Sequence, residues 1–132
     1  MKPNSVKFQF IKEEDKYGLI HVFDSKKIPF KVKRIFTVSS KEGVERGHHA
    51  HIKCNQLMLC LSGEIKLTLD DGINRKSIIL IPDGKSILVP NKVWAEQLYI
   101  KNDSLLLTFC DQLYDENDYL RSYKDFKKFL IK

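Results

Sequence analysis

Short apolar or alternating runs recur along the chain every eight to twelve residues or so, and this recurrence constrains the fold more than any other feature. The runs are 8–11, 19–23, 32–38, 56–61, 64–69, 76–81, 86–89 and 105–109. Between them stand turn signals: Ser62-Gly63, Asp70-Asp71-Gly72, Pro82-Asp83-Gly84, Pro90-Asn91 and Asn102-Asp103. Runs too short for helices, punctuated this regularly, predict an all-β sandwich or barrel. Only the stretch from Glu116 to Lys132 departs, because Tyr119, Leu120, Tyr123, Phe126, Phe129 and Leu130 fall at three- and four-residue steps, which predicts a C-terminal helix packed on the strands. The 132 residues contain no linker, repeat or low-complexity tract, so residues 1–132 are expected to form one domain.

Composition narrows the class. With 42% hydrophobic and 30% charged residues the chain can bury a core and is not disordered. No window approaches the roughly 18 apolar residues of a membrane span, and no signal-peptide core follows Met1, so a cytoplasmic location is expected. Cys54, Cys60 and Cys110 are odd in number and lack CxxC spacing, which fits reduced, buried thiols rather than a disulfide scaffold. The net charge of +6 favours an anionic partner. Its lysines are scattered and often sit beside acids, as in Lys12-Glu13-Glu14-Asp15-Lys16, so no nucleic-acid surface is expected, whereas a nucleoside diphosphate is compatible.

One stretch carries chemistry. Gly43, His49, His51, Gln56 and Gly63 follow the spacing G-x5-H-x-H-x4-Q-x6-G. It resembles the first signature of the cupin superfamily, with Gln56 where a glutamate is usual; the second signature can be placed on Gly84-x5-Pro90, but its histidine falls on Ala95. The fold implied is a cupin-type jelly-roll β-barrel. In a strand, residues two apart share a face, so His49 and His51 point inward together and His48 outward. A catalytic divalent metal takes three protein ligands, and two imidazoles with a neutral amide are a poor set, so no metal is expected. Without one, the imidazoles suit proton transfer near neutral pH. The alternative is a pair of structural histidines at the barrel mouth.

A narrower resemblance runs in order along residues 5 to 130: Lys33-Arg34-Ile35-Phe36, Arg46-Gly47-x-His49-Ala50-His51, Cys60-Leu61-Ser62-Gly63, Leu69-Asp70-Asp71-Gly72, Val93-Trp94 and Tyr114-Asp115-Glu116-x-Asp118-Tyr119-x-Arg121-x-Tyr123. This set is similar to that of the dTDP-sugar 3,4-ketoisomerases. The resemblance implies a cofactor-free enzyme that converts dTDP-4-keto-6-deoxyglucose to a 3-keto isomer on the way to 3-amino-3,6-dideoxy sugars, working as a homodimer that exchanges N-terminal strands. Moving a ketone from C4 to C3 needs a proton removed at C3 and one delivered at C4 through an enediol or enediolate. The family's first motif histidine falls on His49, the implied base, with His51 its partner. Arg34 and Arg46 are candidates for the diphosphate or a developing oxyanion, because guanidinium offers paired donors. Tyr17 stands where some members carry arginine and bears on the configuration at C4; Trp94 is a candidate to stack near the ligand. Ala95 and Thr37 depart from the common pattern. The competing readings are a non-catalytic cupin that senses nucleotide sugars and, behind it, a sugar-nucleotide epimerase.

Overall fold

The computed structural model describes residues 8–10, 13–15 and 18–131. Strands β1 (Phe8–Phe10), β2 (Glu13–Asp15) and β3 (Gly18–Ile20) come first, followed by β4 (Arg34–Ser40), β5 (Glu45–His51) and β6 (Gln56–Ser62). Next are β7 (Ile65–Asp70), β8 (Arg75–Leu80), β9 (Lys85–Val89), β10 (Trp94–Tyr99), β11 (Ser104–Cys110), the two-residue β12 (Tyr119–Leu120) and the helix α1 (Tyr123–Leu130). Two five-stranded sheets, in the orders β1-β9-β6-β11-β4 and β12-β5-β10-β7-β8, face each other, and β2-β3 forms a separate hairpin. Neighbouring strands are antiparallel throughout. Among the described residues no strand pairs across the two sheets, so the jelly roll is an open sandwich rather than a closed barrel.

Alternation sets the core. Met58 and Cys60 on β6, Leu106 on β11, Leu67 and Leu69 on β7, and Tyr99 on β10 meet between the sheets. The alternate residues Leu57, Leu59, Leu107 and Phe109 face the other way and are covered by Ile28, Phe30 and Val32 from the segment before β4. Two buried faces explain why residues 56–61 read as one continuous apolar run rather than an alternating one.

The chain differs from its sequence pattern in two places. Strand β10 carries no clear alternation, because its outward Trp94 is buried under α1 while its inward positions include Gln97 as well as Ala95 and Tyr99. The expected helix from Glu116 is shorter at its start: residues 116–118 form a 3-10 turn, and Tyr119 and Leu120 pair with His51 and Ala50 of β5. Their backbone groups are committed to the sheet, and the helix begins only after Ser122, whose side chain accepts from Asp125 N at 3.3 Å as its cap. Phe126 then anchors α1, fully buried against Trp94 and Ala50.

Candidate active site

A bulge in β5 builds the site. Gly47 and His48 have φ of 85° and 57°, and the pairing with β10 shifts there, so that His49 lies opposite Ala95 while Arg46 lies opposite Gln97. The extra residue reverses the parity of the strand. Arg46, three residues before His49, therefore joins His49 and His51 on the inner side, whereas simple alternation would turn it out. Glycine is required at 47, because a Cβ there would sit 2.9 Å from the Ala95 carbonyl oxygen. His48 swings outward to Glu96, 3.7 Å away.

The cleft on this inner face has a volume of about 200 Å³, and His49, Arg46, Gln56, Gln97, Tyr119 and Arg121 contribute to its walls. The two imidazoles stand edge to face with centroids 5.0 Å apart, and Tyr119 packs on both, at 4.4 Å from His51 and 5.0 Å from His49. His49 Nδ1 lies 3.1 Å from the Gly47 carbonyl oxygen. His51 Nδ1 lies 2.9 Å from Asp118 Oδ2. Both partners only accept, which assigns the proton to Nδ1 in each neutral ring and leaves each Nε2 with a lone pair. His51 Nε2 is buried and has no hydrogen-bond partner among the described residues. Such an orphan is costly unless a ligand answers it.

Burial, and then the neighbouring His51, push His49 down to about 4. Burial also lowers His51, outweighing the opposite pull of the Asp118 carboxylate. Both rings are thus neutral at physiological pH and able to accept a proton.

Asp118 is held firmly. Besides His51 it accepts from Lys53 N at 2.7 Å and from Cys54 N at 3.3 Å. His51, Cys54 and Asp118 offer potential ligand atoms within 4.8 Å of one another. As arranged, however, the carboxylate is engaged by three N–H donors and the Cys54 thiol donates to the Asn55 carbonyl oxygen at 3.5 Å. Taking up a metal through His51 Nδ1 would mean breaking the bond that orients the ring. The trio reads as a hydrogen-bonded support of His51.

Of the other sequence candidates, Arg46 reaches the cleft with Nε donating to Ser40 Oγ at 2.7 Å. Arg34 stands behind the cleft between the Phe36 and Tyr114 rings, with its centre 5.5 and 5.6 Å from their centroids, and donates to Cys110 Sγ at 3.6 Å. Trp94 is not brought to the site. It neighbours the inward-facing Ala95 and so points to the opposite face of β10, where it is buried against Phe126 and donates to Glu96 at 2.8 Å. Thr37 is likewise exposed on the outer side of β4. Tyr17 lies outside the described residues. The sequence reading missed Asp118, Tyr119, Arg121 and Gln97 as site residues. The first three lie within the closing Tyr114-to-Tyr123 motif, where the apolar spacing suggested a helix. Arg121 stacks on Tyr119 at 4.2 Å and pairs with Glu116 through two bonds of 2.7 and 2.9 Å.

The chain is thus a cupin-like jelly roll whose cleft holds paired inward histidines, an aspartate behind one of them and two arginines at the opening. The chain belongs to the family described as "FdtA: WxcM-like, C-terminal", which it matches over residues 3–130. It is 35% identical over 116 residues, 87% of this chain and 84% of the relative, to the TDP-4-oxo-6-deoxy-alpha-D-glucose-3,4-oxoisomerase of Aneurinibacillus thermoaerophilus. The crystal structure of a 3,4-ketoisomerase from Helicobacter canadensis is 30% identical with a TM-score of 0.89, covering 97% of this chain and 98% of that one. A variant of a Thermoanaerobacterium thermosaccharolyticum 3,4-ketoisomerase, solved with TDP-4-keto-6-deoxyglucose, is 29% identical with a TM-score of 0.89, covering 98% and 95%.

Proposed function

We propose that the chain is a dTDP-sugar 3,4-ketoisomerase that converts dTDP-4-keto-6-deoxyglucose to a dTDP-3-keto-6-deoxyhexose by proton transfer, without metal or redox cofactor, in the cytoplasm, as a step towards 3-amino-3,6-dideoxy sugars. The observation that carries this reading is the pair of neutral imidazoles, each with Nδ1 engaged and Nε2 available, one of them a buried orphan. A ketone flanked by a carbinol carbon needs such a base and little else.

His49 takes the C3 proton at Nε2 as the electrons move to the C4 oxygen; the O3 hydroxyl proton then passes to O4 by way of His51 Nε2, and protonated His49 delivers a proton to C4 as the C3 carbonyl forms. His51, oriented by Asp118, holds a sugar hydroxyl at its Nε2 and relays protons. Arg34, desolvated behind Tyr119 and His51, supports the developing oxyanion at a distance. Arg46 and Arg121 meet the diphosphate, Arg121 exchanging its exposed Glu116 partner for phosphate oxygens. A cleft of about 200 Å³ is smaller than usual small-molecule sites, which start at about 300 Å³, so it takes the sugar while the nucleotide extends over the opening.

The enzyme works as a homodimer, with β1 as the element that could be exchanged, since it occupies only the edge of β9. An apolar groove of about 540 Å³ on the outer side of the same sheet, flanked by Phe23, Phe30 and the exposed Ile35, supports association. The direct test is incubation of purified protein with dTDP-4-keto-6-deoxyglucose and identification of the product by NMR. Formation of a 3-keto isomer, unchanged by chelator, is expected; tight dTDP binding with no conversion would favour a nucleotide-sugar sensor instead.

A further inference from the structure

The feature left without a role is a sulfur at the base of the cleft. Cys110 is completely buried at the end of β11. Two N–H donors from different strands converge on it: Arg34 Nη2 from β4 at 3.6 Å and Gln56 Nε2 from β6 at 3.5 Å. A buried cysteine serving as a small apolar filler would not collect two N–H donors, because a neutral thiol is a weak acceptor.

Arg34 gives the second half of the argument. Among the described residues no carboxylate pairs with it; its aromatic neighbours Phe36 and Tyr114 offer ring faces and Tyr119 a hydroxyl rather than a formal charge. A permanently charged guanidinium turned into a protein needs a counter-charge. The sulfur is the group in contact that can supply one. Gln56 lines the cleft, so the sulfur ties the cleft wall to the guanidinium behind it.

We propose that Cys110 is a positioning residue of the isomerase: its sulfur, held as a thiolate, is the anchor that fixes Arg34 and Gln56 beneath the histidine pair. The proposal rests on the isomerase reading for its effect on turnover, but the thiolate and its pairing with Arg34 are observable without substrate. Contact with Cys54 and donation from Gln56 and Arg34 hold the Cys110 thiol below its ordinary range, whereas Cys54 is pushed up by its contact with Cys110 and by burial. Arg34 and Gln56 donate to Cys110 while the Cys54 thiol donates to the Asn55 carbonyl oxygen, so the charge belongs to Cys110 of the two.

The test is a titration of ultraviolet thiolate absorbance on the intact protein. One thiolate is expected to appear with a midpoint below the ordinary thiol value of about 8.5, to persist in Cys54→Ser, to vanish in Cys110→Ser, and to move up by about one unit or more in Arg34→Met. In Cys110→Ala, kcat on the proposed substrate should fall about tenfold or more while the dTDP dissociation constant stays within about twofold. Absence of a thiolate below about pH 8 in the wild type, an unshifted midpoint in Arg34→Met, or wild-type kcat in Cys110→Ala would overturn the proposal. If Cys110→Ala does not fold, the wild-type and Arg34→Met titrations still decide it. A normal thiolate in a wild-type protein that turns over no substrate would count against the isomerase reading and leave the Cys110–Arg34 pairing standing.

Discussion

Two histidines two residues apart do the same thing geometrically and are distinguished by what stands behind them. His49 leans on a backbone carbonyl and His51 on a carboxylate. A carbonyl fixes the tautomer without adding charge, which keeps His49 easy to reset between turnovers. With His49 at about 4 and an unfolded value of about 6.5, the unfolded chain binds the extra proton first. The stability contributed by this neutral ring is therefore complete above pH 6.5 or so and is lost as pH falls from there towards 4. NMR titration of the ring should give a midpoint near 4, and His49→Asn should flatten that part of the stability profile; a midpoint near 6.5 would contradict the buried, neutral base. Asp118→Asn keeps the shape but no longer demands a proton on Nδ1, so kcat should fall about ten- to hundredfold with dTDP binding retained, and nitrogen NMR of His51 should show mixed tautomers. The histidine pair was legible because a strand has period two. Asp118 was not, because nothing local ties residue 118 to residue 51, and Trp94 misled because an aromatic next to a turn looks the same whether it faces a ligand or a helix.

At the scale of the element, the β5 bulge determines which side chains meet. A regular strand would send Arg46 outward; the left-handed Gly47 and His48 bring it to the cleft. Gly47→Ala faces both a positive φ and a 2.9 Å approach to the Ala95 carbonyl, so it should destabilise the fold by about 1–3 kcal/mol and reduce kcat more than the shift in melting temperature alone explains. Equal activity and stability in that variant would show that the bulge is dispensable. The motif glycine was visible in the sequence, but its bulge was not, since a glycine inside a strand pattern marks either a bulge or a close approach and here it marks both. The segment after residue 114 shows a competition between periodicity and pairing: the three- and four-residue apolar spacing is satisfied only from Tyr123, where Phe126 fills the space beside Trp94 and Ala50. Phe126→Ala should cost about 3–5 kcal/mol, measured by chemical denaturation, and should lower activity by loosening β12 and with it Tyr119 and Arg121.

The molecule as a whole has two outer faces of different kinds. Behind the β12-β5-β10-β7-β8 sheet, α1 covers Trp94 and Ala50; behind the other sheet, an apolar groove stays open and Ile35 is 58% exposed. If that groove lies in a dimer contact, sedimentation should give a dimer at micromolar concentration and Ile35→Glu should shift it towards monomer; a wild-type monomer would contradict the proposed assembly. The two-sheet architecture was legible because each run had the length and punctuation of a strand. The sheet orders were not, because they depend on pairings across distant parts of the chain, such as β11 with β4 and β6. What joins the architecture to the chemistry is the claim that His49 moves a carbon-bound proton. The measurement that tests it most directly is proton NMR of dTDP-4-keto-6-deoxyglucose incubated in deuterium oxide with wild-type protein and with His49→Asn. The expected result is loss of the C3 proton signal and a 3-keto product carrying deuterium at C4 with the wild type, and neither with the variant although it still binds dTDP. Product formed, or C3 hydrogen exchanged, by His49→Asn at the wild-type rate would contradict the account.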